Sequence, residues 1–420
     1  MDWSTPAPLQ DLLDRLDAFI DAEIAPLEQE HPQFFDHRRE HARTDWDRDG
    51  VPAREWTELL GEMRRRADAA GFYRYGLPAA LGGQDGSNAD MARIREHLLA
   101  RGPGLHFPHN DEASVVGNLP LALVLHEYGT PEQKETYLHR YVNGEIEIAF
   151  GLTEPGHGSD ATFLETTARR DGDDWIIQGA KRFNSLSHAA EVDVVFARTS
   201  GEDGKAQGIT AFLVPTASEG FEIPFNWWTF NMPSDHPEVH LNSVRVPNSA
   251  ILGEEGRGLD LAQLFVHENR TRQAASSLGA AQFCIDASVA YAQERTVFRK
   301  QLHEHQGIQW QLVDLNTEAE MVRSLLYRTA ALMDEGGKTS ASPLVSMVNL
   351  RSNQLACNAA DRAIQIHGGI GYTRHLPFEH IYRHHRRYRI TEGADELQKR
   401  RIASSMFDFR SSAPSPGTRG

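Results

Sequence analysis

The stretch EIAFGLTEPGHGSD, Glu147–Asp160, separates two kinds of sequence. Its first half is a short apolar run of strand character, and it leads into a loop holding Pro155, Gly156, Gly158 and Ser159. Glycines in such a loop let backbone N–H groups come close to a ligand, and Thr153 and Ser159 can add hydroxyl hydrogen bonds. The same residues also compose an ordinary Pro-Gly turn, so spacing alone leaves both readings open.

Upstream, apolar residues recur every three or four positions in LQDLLDRLDAFIDAEI, EWTELLGEMRRRADAA and LPLALVLHEYG. That period predicts helices. Gly- and Pro-rich breakers separate them, and Thr130 before Pro131 and Glu132 marks a helix start. Downstream of Asp160 come DWIIQGAKRF, VDVVFARTS, GITAFLVP and EVHLNSVRVP, β-branched or aromatic runs divided by turn residues. After GEEGRG three long periodic stretches predict a bundle of helices. The reading is an α+β chain, mostly α: an N-terminal helical domain over 1–146, a middle antiparallel β domain over 147–255 and a C-terminal helical bundle over 256–410. The Pro/Gly/Ser-rich 411–420 reads as a flexible tail.

The net charge of −16 argues against nucleic acid as the main partner, because polyphosphate binding needs a basic surface. Two cysteines, Cys284 and Cys357, exclude a disulfide framework and suit a reducing compartment. The chain opens on an acidic, amphipathic segment, and no apolar run reaches the ~20 residues of a membrane span. A cytoplasmic protein is expected.

Three further segments carry chemistry. IQIHGGIGY, Ile364–Tyr372, has more glycine than a helix cap needs, which close backbone approach to a bulky ligand explains. ERTVFRKQLHEHQ offers Arg295 as a phosphate partner. His303, His305, His380, His384 and His385 lack metal-ligand spacing on one helix face, so structural or solvated roles are favoured and no metal is expected. The basic run HIYRHHRRYR reads as a salt-bridged face. RITEGADELQKR places Glu392 on a Gly-flanked corner before a charged helix, either as favourable charge at a helix start or as a base. Trp227 and Trp228 are expected to fill core.

In order and spacing, LTEPGHGSD, RTVFRKQL, QIHGGIGY and ITEGADELQ resemble the motifs of the acyl-CoA dehydrogenase family across about residues 10–408. The resemblance implies a C-terminal bundle of four helices and non-covalent FAD between the β domain and the bundle, with help from a neighbouring subunit. It also implies a homotetramer built as a pair of dimers. Phe150, Leu152, Thr153, Gly158 and Ser159 match the flavin loop, and Phe183 and Ser185 flank the ring. Arg295, Phe298, His305 and Gln306 match positions reaching a neighbour's FAD, while Gln365, Gly368 and Gly369 match its pyrophosphate side. Ser159, Arg270, Glu392 and Gly393 match substrate positions, Arg270 near the CoA moiety. Glu392 matches the base that removes the α-proton of an acyl-CoA while the β-hydrogen passes as hydride to flavin N5, giving a trans-2-enoyl-CoA. The implied electron acceptor is an electron-transferring flavoprotein.

Departures are Ala394 for a hydroxyl residue, Arg299 for a glycine and His384 for an aspartate. Alternatives on the same fold are an acyl-CoA oxidase, a flavin oxygenase or a non-catalytic flavoprotein. Acyl-carrier substrates in place of CoA also remain open.

Overall fold

The computed structural model describes residues 5–36, 38, 42–109, 113–336 and 341–407. The tail 411–420 lies outside them. The helices before residue 147 are α1 (Ala7–Phe19), α2 (Ala25–Glu30), α3 (Arg54–Ala69), α4 (Asn88–Ala100), α5 (Pro120–Tyr128), α6 (Pro131–Gln133) and α7 (His139–Val142), with a short hairpin of β1 (Thr44–Asp45) and β2 (Val51–Pro52). At Thr130 the capping box closes both ways. The Thr130 hydroxyl accepts from the Gln133 N–H at 3.2 Å, and the Gln133 side chain accepts from the Thr130 N–H at 3.0 Å.

The middle region is one eight-stranded sheet of β3 (Ile148–Gly151), β4 (Thr167–Asp171), β5 (Asp174–Arg182), β6 (Val192–Arg198), β7 (Ile209–Pro215), β8 (Phe221–Glu222), β9 (Glu238–Pro247) and β10 (Ile251–Leu252). The order is β10-β7-β6-β4-β5-β9-β8, with β3 also on β6. The ladders are antiparallel except that β3 runs parallel to β6, pairing Phe150 with Val194, and β4 meets β6 in parallel at Thr167 and Arg198. The sheet is therefore mixed. Strand β6, buried from Val192 to Ala197, has its apolar residues in a continuous run because both of its faces are covered.

The C-terminal region holds α8 (Gly258–Glu294), a hairpin of β11 (Thr296–Val297) and β12 (Lys300–Gln301), then α9 (Gln306–Gly336), α10 (Ser342–His367), α11 (Phe378–Arg387) and α12 (Asp395–Met406). Helix α8 is buried almost all round from His267 to Ala281 and forms the central post of the molecule. Its small residues let neighbours approach closely: a Cβ on Gly279 would lie 2.2 Å from the Glu96 carbonyl oxygen of α4.

The two helical regions are not separate cores. One apolar cluster joins Leu16, Trp56, Met63 and Leu98 to Leu278, Val322, Leu326, Leu355 and Ile381. A second joins Leu121, Val124 and Leu125 of α5 to Val194, Leu213 and Leu261. One face of the β domain is thus packed against α5 and the start of α8, and the junction of the three regions is where chain segments from all of them face one space. Among the described residues no helix is long and apolar enough to cross a membrane.

Candidate active site

Strand β3 delivers the Gly-rich loop to this junction. The Phe150 ring stacks on Phe265 of α8 at 4.0 Å and 8°, which ties the strand to the central helix. Beyond Thr153 the loop is anchored by Glu154, which is 4% exposed. Its carboxylate accepts from the Thr166 N–H at 3.0 Å and from the fully buried Lys181 ammonium at 2.7 Å. These partners outweigh burial and hold Glu154 below the usual carboxylate range, while burial pushes Lys181 down from the ordinary lysine value. Gly158 and Ser159 lie exposed on the far side of this anchor. The Arg182 N–H donates to the Thr153 carbonyl at 2.9 Å, so Phe183 follows directly beside the loop. Phe183 has φ +55° and is 52% exposed; a large aromatic held outward in a left-handed conformation is poised to meet a ligand. Ser185 bonds His236 at 2.7 Å.

Glu392 sits between α11 and α12 on a turn with φ +56° at Glu392 and +98° at Gly393. The turn is fixed from below. Arg270 donates Nε to the Glu392 carbonyl at 2.8 Å, and Gln398 Nε2 donates to the Gly393 carbonyl at 2.8 Å. Arg389 and Asp395 close the turn with an ion pair at 2.8 Å. Burial lowers Arg270 to about 9, which leaves it cationic near neutral pH. The Glu392 carboxylate faces upward, where Asn269 Nδ2 donates to it at 3.4 Å and Asn118 Nδ2 donates to Asn269 Oδ1 at 2.9 Å. Glu392, Asn269, Asn118, Phe150 and Ser185 together line a cavity of about 240 Å³ whose other walls include Tyr73, Pro120, Leu121, Phe265 and Gln273. A wider groove along Gln133, Pro247 and Ile251, about 660 Å³, shares no residue with it.

Of the sequence-selected residues, Glu392, Phe150 and Ser185 meet at this cavity, with Leu152, Thr153, Gly158, Ser159 and Phe183 on adjoining loop or strand. Arg270 is 2% exposed, is absent from the cavity wall, and holds the base turn from beneath, because α8 turns that face under Glu392. A second group gathers at the other end of α8. Tyr291 stacks on His367 at 4.3 Å and donates to its carbonyl at 3.3 Å, tying the corner of Gln365, Gly368 and Gly369 to the helix end that leads into Arg295, Phe298, His305 and Gln306. Phe298 (φ +48°, 92% exposed) and Arg299 (φ +63°) form the two-residue turn of the β11–β12 hairpin, so Arg299 holds a conformation that favours glycine. Phe265 and Arg295 are 30 residues apart on one helix, about 45 Å at 1.5 Å per residue. The two groups therefore do not converge within one chain.

Trp228 is corrected. It is 58% exposed, with its indole N–H on the Asp49 carbonyl at 2.9 Å, and fills no core. His380, His384 and His385 are buried with His109, the His109 and His384 rings 5.1 Å apart. Among the described residues no group of three or more histidine, cysteine or acidic side chains is arranged to hold a metal. Sequence reading missed Glu154, Lys181, Asn118, Asn269 and Gln273. The last two are four apart in HENRTRQ, and that helical spacing is the signal that puts them on one face.

Family models describing the acyl-CoA dehydrogenase N-terminal, middle and C-terminal domains match residues 8–145, 149–244 and 256–407. The chain is 34% identical over 358 residues to the 3-(aryl)acrylate reductase of Clostridium sporogenes, covering 83% of this chain and 91% of the relative. It is 32% identical over 351 residues to the caffeyl-CoA reductase-Etf complex subunit CarC of Acetobacterium woodii, covering 83% and 89%. The structure of a glutaryl-CoA dehydrogenase from Mycobacterium smegmatis in complex with FADH2 superposes with a TM-score of 0.78 at 25% identity, over 96% of this chain and 95% of that one. Proteins of this family are FAD-dependent oxidoreductases. With three consecutive domain models spanning the fold, this chain belongs to the acyl-CoA dehydrogenase family.

Proposed function

We propose that this protein catalyses α,β-dehydrogenation of an acyl-CoA thioester, with Glu392 as the base that takes the α-proton. The observation that carries this reading is the Glu392 turn: a carboxylate held over a cavity by a backbone carbonyl clamped to Arg270 and met by the Asn269 amide. A thioester acidifies its α-hydrogens, and a positioned carboxylate within reach of one removes it. The Arg270 cation lies under the Glu392 carbonyl rather than against the carboxylate, so it fixes direction without occupying the base. Asn269 donates to the carboxylate through a long hydrogen bond of 3.4 Å, which orients it toward the cavity. Leu119, Pro120, Leu121 and Phe265 give the acyl chain apolar contact and exclude water.

The residues present fit FAD. A Cβ on Gly156, Gly368 or Gly369 would meet nothing within 4 Å, which leaves room for close approach, and the buried His305 Nε2 has no hydrogen-bond partner. Phe150, Leu152, Thr153, Gly158, Ser159, Phe183 and Ser185 would hold its flavin end. When bound, FAD supplies the two-electron acceptor for the β-hydrogen, so that loss of proton and hydride leaves a trans-2-enoyl-CoA. Arg295, Phe298, His305, Gln306, Gln365, Gly368 and Gly369 lie about 45 Å along α8 from Phe265, beyond one dinucleotide, and would serve the FAD of a second copy. A homo-oligomer built on that exchange follows, with an electron-transferring flavoprotein as acceptor.

Both relatives named above bear reductase names, which favours a second reading in which the same residues act in reverse and Glu392 returns a proton to the α-carbon of an enoyl thioester. Anaerobic titration of the flavin-loaded protein separates the outcomes. Bleaching of the flavin band by saturated acyl-CoAs with enoyl-CoA formed supports dehydrogenation. Reoxidation of the reduced protein by enoyl-CoAs alone supports reduction. A band unmoved by either class contradicts both.

A further inference from the structure

The wall of the cavity formed by α8 is polar where an alkyl chain would call for apolar side chains. Gln273 is 6% exposed, lines the cavity, and its carbonyl oxygen Oε1 is enclosed without a hydrogen-bond partner. Asn118 Oδ1 and Thr391 Oγ1, on the same cavity, are also enclosed without partners. An enclosed polar atom left unpaired is costly, so three around one chamber point to a ligand that satisfies them.

The direction of the missing hydrogen bonds can be read from the amides. Glu392 only accepts when ionised, so Asn269 must present its NH2 group to it. Asn269 Oδ1 then faces Asn118, which must donate its own NH2 group. This relay fixes the Asn118 amide with Oδ1 turned away, an acceptor in need of a donor. Gln273 has no such relay, and its amide can present either end.

A ketone or carboxylate oxygen could satisfy Gln273 but not Asn118, because it only accepts. A second carboxylate would also stand close to Glu392 and be repelled. A hydroxyl donates to Asn118 Oδ1 and accepts from Gln273 and Thr391, and so fits all three groups in one small substituent. Gln273 follows Asn269, which touches the base, by four residues on α8, about 6 Å along the helix axis. The polar group therefore belongs past the reacting α,β bond.

We infer that the acyl group this enzyme takes carries a hydroxyl beyond its β-carbon, recognised by Gln273 and Asn118. This rests on the acyl-CoA reading above and narrows its substrate class. Gln273 and Asn118 are specificity-determining residues that leave the transferred proton to Glu392.

The test compares hexanoyl-CoA with 4-, 5- and 6-hydroxyhexanoyl-CoA on the flavin-loaded protein. The readouts are the dissociation constant by calorimetry and kcat/KM by anaerobic flavin bleaching. At least one hydroxylated chain should be favoured about ten- to a hundred-fold over hexanoyl-CoA, and Gln273→Leu should collapse that ratio. Gln273→Met and Asn118→Leu provide the same comparison should Gln273→Leu fail to fold. Equal binding and turnover of plain and hydroxylated chains by the wild type overturns the inference while leaving the acyl-CoA reading intact. So does a ratio unchanged in every variant. If no chain of either kind binds or bleaches, both readings fall together.

Discussion

At Glu392 the chain accepts a backbone cost: a non-glycine residue at φ +56° is held by hydrogen bonds from Arg270 and Gln398 to its carbonyl and its neighbour's. Such strain persists only where the surroundings over-determine it, and here it aims the carboxylate at the cavity. Arg270→Lys keeps the charge but loses the planar fork that reaches the carbonyl. It should lower kcat about ten- to a hundred-fold with little change in KM, because hydrogen bonds to a charged group contribute about 1.5–3 kcal/mol and this one positions rather than binds. Steady-state kinetics across an acyl-CoA series checks this; a change in KM alone would place Arg270 in binding instead. The role of Glu392 is legible in sequence because its motif is local. The role of Arg270 is not, since which face of α8 turns under a loop more than a hundred residues away is decided by packing. The Gly-rich loop is legible for a similar reason as Glu392, whereas its anchor, the Glu154–Lys181 pair, joins residues 27 apart across strands whose register the sequence leaves open.

Among the elements, α8 decides most. Its run of Ala274, Ala275, Ser276, Ser277, Gly279, Ala280 and Ala281 gives no clear amphipathic stripe, because neighbours cover it on nearly every side. Periodicity therefore locates the helix but cannot say that it serves both helical regions at once. Division into an N-terminal domain and a bundle is natural in one dimension; in three, Gly279 against the Glu96 carbonyl welds α4 to α8. Gly279→Ala should destabilise the fold by about 1–3 kcal/mol through overpacking, more than the helix propensity gained from alanine returns. Denaturant unfolding gives the sign: a more stable variant would mean α4 can move away at little cost. The β domain is legible run by run, but not its mixed pairing, since parallel contacts of β3 and β4 with β6 join strands that are distant or non-consecutive in sequence.

For the whole molecule, buried titratable groups set how stability depends on pH. Burial pushes His106 down to about 4 and His385 to about 3, both below the ordinary 6.5. A depressed histidine contributes stability that is present above the unfolded value and is lost as pH falls, so these two weaken the fold progressively below about pH 6.5. Asp193 runs the other way. Burial raises it from 3.8 to about 7 despite the Asn184 amide, so its contribution is full below about pH 4 and is lost as pH rises toward 7. The terms oppose each other between about pH 4 and pH 6.5. Asp193→Asn should therefore steepen the loss of melting temperature on acidification, and His385→Asn should flatten it. Melting curves from pH 4 to pH 8 for the three proteins test the signs; parallel curves would mean neither group changes protonation on unfolding.

If Glu392 takes the α-proton, exchange of that hydrogen with solvent reports it. Flavin-loaded wild type and Glu392→Gln would be incubated anaerobically in D2O with an acyl-CoA that bleaches the wild type, and α-hydrogen loss followed by proton NMR. The wild type should exchange the α-hydrogens, and Glu392→Gln should do so slower by about 10²- to 10⁴-fold while still binding the thioester. Exchange at the wild-type rate in Glu392→Gln would show that another group is the base.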